Sequence, residues 1–197
     1  MKKLITLVII GLMAFGVLYA AGGVNVNLLP YEEISQQEEE SLVFLREEEK
    51  LAHDVYIYLY NLWGVKIFKN ISDSEQTHTD SVLELLKKYN IEDPVKENEI
   101  GVFQNEILQE AYNTLTEKGS LSVIEAFKVG AYIEELDIKD IRDLYEKVDN
   151  ADIELVFSNL EKGSVNHINS FLNQLIKYGE TYEPQILSVS ELNAIKR

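Results

Sequence analysis

FKNISDSEQTHTDSVLELLKKY, residues 68–89, is the stretch whose reading decides the fold. Phe68, Ile71, Val82, Leu85 and Leu86 follow the three-and-four spacing of one face of an α-helix. Glu75 and His78 lie three residues apart on that face. Buried acids are costly unless they are paired or hold a metal, so this pair needs company inside the fold. The start of the helix has two readings. Ser72-x-x-Glu75 is a capping-box pattern, which would begin the helix at Ser72 and leave Glu75 as a cap. Phe68 and Ile71 keep the helical period, which would begin it near Val65.

The same periodicity extends along most of the chain, and no stretch alternates as a strand would. A first helix is predicted over 41–63, carrying Leu42, Leu45, Ala52, Val55, Leu59 and Leu62, with Gly64 as its stop. The second ends near Tyr89. Residues 90–104 read as a loop containing Pro94 and Gly101. A short helix follows over 105–118 and ends at Gly119. A long helix over 122–148 is capped by Ser122-x-x-Glu125, and Asp149-Asn150 is its turn into a last long helix over 151–178. Ser188 and Glu191 form the capping box of a short tail helix after Pro184.

Two helical hairpins are therefore separated by about thirty residues holding one short helix. Four long helices with one long crossover between the second and third make an all-α, ferritin-like four-helix bundle. In such a hairpin, residues equidistant from the turn lie at one height. Glu49 and His78 share a midpoint beside Gly64, and Glu134 and His167 share one beside Asn150. Each pair stands about 14–17 residues from its turn, roughly 21–25 Å along the helix. This match favours the early start of the second helix.

Di-iron bundles take a Glu from each of two helices and a Glu-x-x-His from each of the other two. Here Glu49, Glu75, His78, Glu134 and His167 fill that pattern, but Ser164 stands in place of the last Glu. Asp137, one turn after Glu134, should be level with Ser164, and we infer that it supplies the missing carboxylate. Glu48 is the alternative to Glu49, and Glu135 to Glu134. His53 reads as a packed or surface histidine, and Tyr56, Tyr58 and Tyr60 as core or rim. Carboxylate and imidazole suit iron, manganese or zinc. Two iron ions are the first choice, because such sites react with dioxygen or peroxide.

Composition narrows the chemistry. The chain has 197 residues, 34 acidic against 18 basic, with a net charge of −16 and 46% hydrophobic residues. That hydrophobic share fits a globular domain, and the charge argues against nucleic acid. The absence of cysteine removes disulfides, thiolate-bound metals, thiol nucleophiles and a lipoprotein anchor. About four acids are assigned to the bundle interior and the other thirty or so to solvated faces, caps and linker. Residues 1–22 have the layout of a signal peptide, with Lys2 and Lys3 before the uncharged, mostly apolar run 4–21. That run could instead stay as a membrane tether. In either case the domain faces outside the cytoplasm. Residues 23–40 read as a linker, and 41–197 as the folded domain.

REEEKLAHDVY (46–56), FKNISDSEQTH (68–78), GAYIEELDI (130–138), GSVNHINSF (163–171) and TYEPQ (181–185) resemble the bacterial and archaeal family called domain of unknown function 2202. The resemblance spans about 41–195. It implies a ferritin-like, metal-binding bundle with no assigned substrate. Glu49-x-x-Ala52 and Glu75-x-x-His78 also resemble motifs of rubrerythrins, whose additional Cys-ligated iron module this sequence does not contain. Three readings follow: an exported di-metal protein turning over iron, dioxygen or peroxide; a metal-binding or storage bundle without turnover; and a metal-free interaction module. A homodimer is expected by analogy with the fold, and nothing in the sequence names an electron donor.

Overall fold

The computed structural model describes residues 25–96 and 98–197. The signal or tether reading of residues 1–22 lies outside the described residues. Among those described there are six α-helices and no strand: α1 Gln36–Trp63, α2 Lys66–Lys88, α3 Glu106–Gly119, α4 Val123–Tyr145, α5 Ala151–Lys177 and α6 Val189–Ile195. A 3-10 turn, Val26–Leu28, precedes them. None of these helices is long and apolar enough to cross a membrane.

The four long helices pack as a bundle. α1 lies against α2 and α4 against α5, while α1 also touches α4 and α2 touches α5. α3 packs on α1 and α4. Gly64 makes the α1–α2 turn possible. Its φ of 66° is left-handed, where a Cβ would be strained, and its N–H caps Tyr60 O at 2.7 Å. α2 begins at Lys66, so the early start holds. Ser72 caps nothing. Its hydroxyl donates back to Lys69 O at 2.9 Å, and Glu75 is free to point inward.

Two boundaries differ from the sequence reading. α1 begins at Gln36, inside the expected linker, because Ser35 and Glu38 form a complete capping box. Glu38 also reaches across the fold, and its Oε1 accepts the N–H groups of Asp149 and Asn150, each at 3.2 Å. Further upstream, Lys88 Nζ donates to the carbonyls of Val26, Leu29 and Pro30 and pairs with Asp152 at 2.6 Å. The segment from Val26 onward is thus fastened to the bundle. α4 ends at Tyr145 rather than near Val148, and residues 146–150 form a longer turn.

The apolar core falls into two clusters. One holds Ala52, Val55, Tyr56, Phe68, Ile71, Phe127 and Phe171, and the other Leu42, Leu45, Val82, Leu85, Ile141, Phe157 and Leu160. Every long helix passes from one cluster to the other, and the changeover residues are polar. They are Glu48 and Glu49 on α1, Glu75 and His78 on α2, Glu134 and Asp137 on α4, and Ser164 and His167 on α5. A buried polar layer therefore crosses the bundle at one level.

Several other acids are buried as well, against the expectation of solvated faces. Glu47 accepts the N–H groups of Gln104 and Asn105 and so anchors the start of α3. Glu135 accepts the N–H groups of Gln185, Ile186 and Leu187 at 2.8–3.0 Å in its closest contacts and ties down the approach to α6. Charge-assisted bonds to otherwise unpaired amides explain why these acids tolerate burial. Replacing Glu135 by Ala orphans three amides. We expect a loss of about 1–3 kcal/mol in denaturant unfolding, with faster hydrogen exchange at residues 185–187 before any other segment responds.

Candidate metal centre

Five polar side chains converge in the middle layer. His78 Nδ1 lies 3.2 Å from Glu49 Oε2 and 2.7 Å from Glu75 Oε2. His167 Nδ1 lies 2.6 Å from Glu75 Oε1 and 3.5 Å from Glu134 Oε2. Glu75 is thus shared, with one oxygen facing each imidazole. The arrangement forms two groups, Glu49–Glu75–His78 and Glu75–Glu134–His167. Within each, one donor atom per residue lies within 4.8 Å of the others, a spacing that could hold a metal ion. The two rings stack at 5.5 Å between centroids. The three carboxylates are fully buried and each imidazole is only 8% exposed.

The short contacts to Glu75 are not hydrogen bonds in direction. Both Glu75 oxygens, Glu49 Oε1, Glu134 Oε2 and His167 Nδ1 are buried without any hydrogen-bond partner. Buried polar atoms are nearly always paired, so this concentration of orphans calls for an explanation. The atoms face one another across common spaces. Carboxylate and imidazole donors in that arrangement fit a pair of cations with Glu75 between them. By contrast, the nitrogen of each ring that faces away is placed by packing. His167 Nε2 meets Ser74 Oγ at 2.9 Å, which orients the ring and leaves Nδ1 toward the cluster. The Cε1–Nε2 edge of His78 abuts Gly163, where a built Cβ would overlap both atoms.

Without a metal, protons stabilise the cluster. Burial opposes the His167 cation, but the charges of Glu75 and Glu134 outweigh it and lift its pKa to about 10. His78 is raised in the same way, with burial overcome by Glu75 and Glu49. Burial also works to raise Glu75, yet the two imidazolium charges hold its carboxyl well below the usual range. Burial drives Glu134 up to about 7, although His167 pulls the other way. Glu49 is raised by burial against the pull of His78.

Asp137 stands beside these groups and belongs to neither triad. It is buried, its Oδ2 has no partner, and burial followed by the charges of Glu49 and Glu134 pushes its pKa well up. Ser164 is buried level with the cluster and turns its hydroxyl back to Leu160 O at 3.2 Å.

A family described as "Uncharacterized protein domain (DUF2202)" matches residues 38–197. The chain belongs to this family. It is 52% identical over 170 residues to the uncharacterized protein MJ0754 of Methanocaldococcus jannaschii, covering 86% of this chain and 92% of the relative. The crystal structure of hypothetical protein MJ0754 from the same archaeon superposes with a TM-score of 0.84. It is 53% identical and covers 85% of this chain and 95% of that one. Neither description assigns this DUF2202 member a ligand or an activity.

The structure separates the adjacent acids that sequence left open. Glu49 and Glu134 enter the cluster, while Glu135 binds backbone amides. His53 is half-buried with Nδ1 2.8 Å from Asp54 Oδ1, away from the cluster. Tyr58 is exposed and meets Ser120. Tyr56 is core, and its hydroxyl donates to Glu134 Oε1 at 2.6 Å. Its position seven residues after Glu49 put it on the same face, and that signal was available. Ser74 and Gly163 gave no such signal, because their roles depend on how α2 meets α5. Gly163→Ala should force His78 off its seat. The expected cost is about 1–3 kcal/mol in thermal unfolding, with a moved His78 ring resonance and an unmoved His167.

Proposed function

We propose that this DUF2202 member is an exported, ferritin-like di-metal protein in which Glu75 would serve both ions. The observation that carries the reading is the pair of buried triads with a common carboxylate. Glu49 and His78 would hold one ion and Glu134 and His167 the other, with Asp137 as the neighbouring carboxylate in place of a Glu at 164. The pairing of α1 with α4 and of α2 with α5 supports a ferritin-like order with the long crossover at residues 89–122. Export rests on the sequence of residues 1–22 alone.

The oxygen-and-nitrogen donor set suits iron, manganese or zinc, and iron is the metal of choice among them because such sites react with dioxygen or peroxide. A pair of ferrous ions supplies one electron each, which is what two-electron reduction of a peroxide to water requires. The protein's own residues do the rest. Tyr56 fixes Glu134 by its hydrogen bond, Ser74 fixes His167, and the two apolar clusters close the layer above and below to water.

Protein purified without chelator, or reloaded with ferrous iron, should hold two ions per chain by elemental analysis. Glu75→Ala should lose both, because it removes the shared ligand. His78→Ala should lose about one and keep its fold by circular dichroism. Peroxide consumption by the loaded wild type, absent from Glu75→Ala, supports turnover. Two ions without consumption would favour storage, and none would leave a metal-free bundle.

The raised pKa values set a pH dependence. His78 and His167 must release protons as a cation enters, so affinity should rise between pH 6 and 8. Calorimetry in two buffers of different ionisation enthalpy should show net proton release. In chelated protein, His167 and Glu134 bind protons more tightly folded than unfolded. Their contribution is present at low pH, where both states are protonated, and is lost as pH rises through about 7 for Glu134 and about 10 for His167. Thermal midpoints of the chelated protein should therefore fall from pH 7 to 10, and those of loaded protein should fall less.

A further inference from the structure

The buried acids outside the cluster sort into two kinds. Glu38, Glu47 and Glu135 accept backbone amides, while Asp54 pairs with Lys50 and Asp152 with Lys88. Glu48 has none of these. It is 5% exposed and its Oε2 has no hydrogen-bond partner, and burial, followed by the charge and a hydrogen bond of Asp140 on α4, pushes its pKa well up. Among the described residues no Lys, Arg or His nitrogen forms an ion pair with either group, and the nearby Lys139 is taken by Asp143. Two neighbouring carboxyls, one of them buried with an orphan oxygen, thus have no basic side chain paired with them.

The position of this pair gives it direction. Glu134, Asp137 and Asp140 follow one another at three-residue steps on one face of α4, about 9 Å from first to last. Asp140 is half-buried and reaches the surface, whereas Asp137 and Glu134 are buried. Asp137 is one turn from both Glu134 and Asp140 on that face of α4, and the charges of Glu49, Glu134 and Glu48 act on it. The cluster carboxylates are sealed from solvent, and a cation must reach them by some route. A row of carboxylates with unpartnered oxygens offers oxygen ligands along the way.

We propose that Glu48 and Asp140 form an outer binding station for a divalent cation, which passes by way of Asp137 to the shared-Glu75 centre. The inference rests on the reading of that centre as a metal site. The station takes a hard or borderline cation such as Fe²⁺, Mn²⁺ or Co²⁺, because its ligands are oxygen only.

Cobalt uptake by the chelated full-length protein tests this. The visible band of bound Co²⁺ gives the rate, and elemental analysis gives the final count. Glu48→Gln preserves side-chain size and can donate an amide hydrogen to Asp140. Asp140→Asn, at a half-exposed position, serves if the first variant folds poorly. Both should slow uptake roughly tenfold or more while the final two ions per chain remain. Asp143→Asn, an exposed acid on the same helix, should leave the rate unchanged. Wild-type rates in both station variants would overturn the proposal and leave a carboxyl pair sharing a proton. Loss of the final ions in folded Glu48→Gln would also overturn it, by making Glu48 a ligand of the centre. A wild type that takes up no cobalt, manganese or iron would overturn the metal-centre reading itself, and the station with it.

Discussion

Glu75 is the constraint around which the bundle is arranged. Its carboxylate is fully buried in the middle of an apolar core, between two imidazoles carried by different hairpins. Effective burial of an unpaired charge costs several kcal/mol, so positive groups must be brought to the same level. α5 brings His167 and the helix of Glu75 itself brings His78, while Glu49 from α1 and Glu134 and Asp137 from α4 add carboxylates at the same level that only protons or cations can balance. This requirement fixes the heights of the four helices relative to one another. The two apolar clusters on either side can then pack with ordinary side chains, because the polar layer already sets their register.

The remaining buried acids show a second use of the same charge. Glu38, Glu47 and Glu135 each sit on a long helix and accept amides from a distant loop. A helical bundle with long connections leaves many loop amides near its surface, and a carboxylate can satisfy two or three of them at once. The high acidic count is therefore partly a device for fastening connections. It is distributed along α1 and α4, so that neighbouring residues serve opposite ends. Glu47 turns to the start of α3 while Glu49 turns inward. Glu135 turns to residues 185–187 while Glu134 turns inward.

What could be read in the sequence was whatever depends on a single hairpin. A tight turn at Gly64 makes α1 and α2 antiparallel with equal pitch, so Glu49 and His78 could be set level by counting, and they lie 3.2 Å apart. The same counting brought Glu134 to His167. It could not show that Glu75 reaches across to His167, because that depends on how α2 meets α5. Ser74, Gly163 and the Glu48–Asp140 pair are hidden for the same reason. The early start of α1 was missed because residues 23–40 look like linker by composition, and Glu38 earns its place through Asp149 and Asn150, far along the chain.

If the layer takes metal as proposed, folding and loading would be linked through it. With no cation, the compensating positive charge on the cluster is carried by protons on His78 and His167. Those protons occupy the nitrogens that face Glu75, which are the atoms a metal would need. On the proposed reading, protons and cations would therefore compete for the same role in holding the hairpins together. On that reading, protons hold the charge of the folded layer until a cation replaces them, and the cation would add its binding free energy to that of the fold. A site built from thiolates can lose its ligands to oxidation. One built from carboxylate and imidazole can exchange protons for metal without any change in its covalent state.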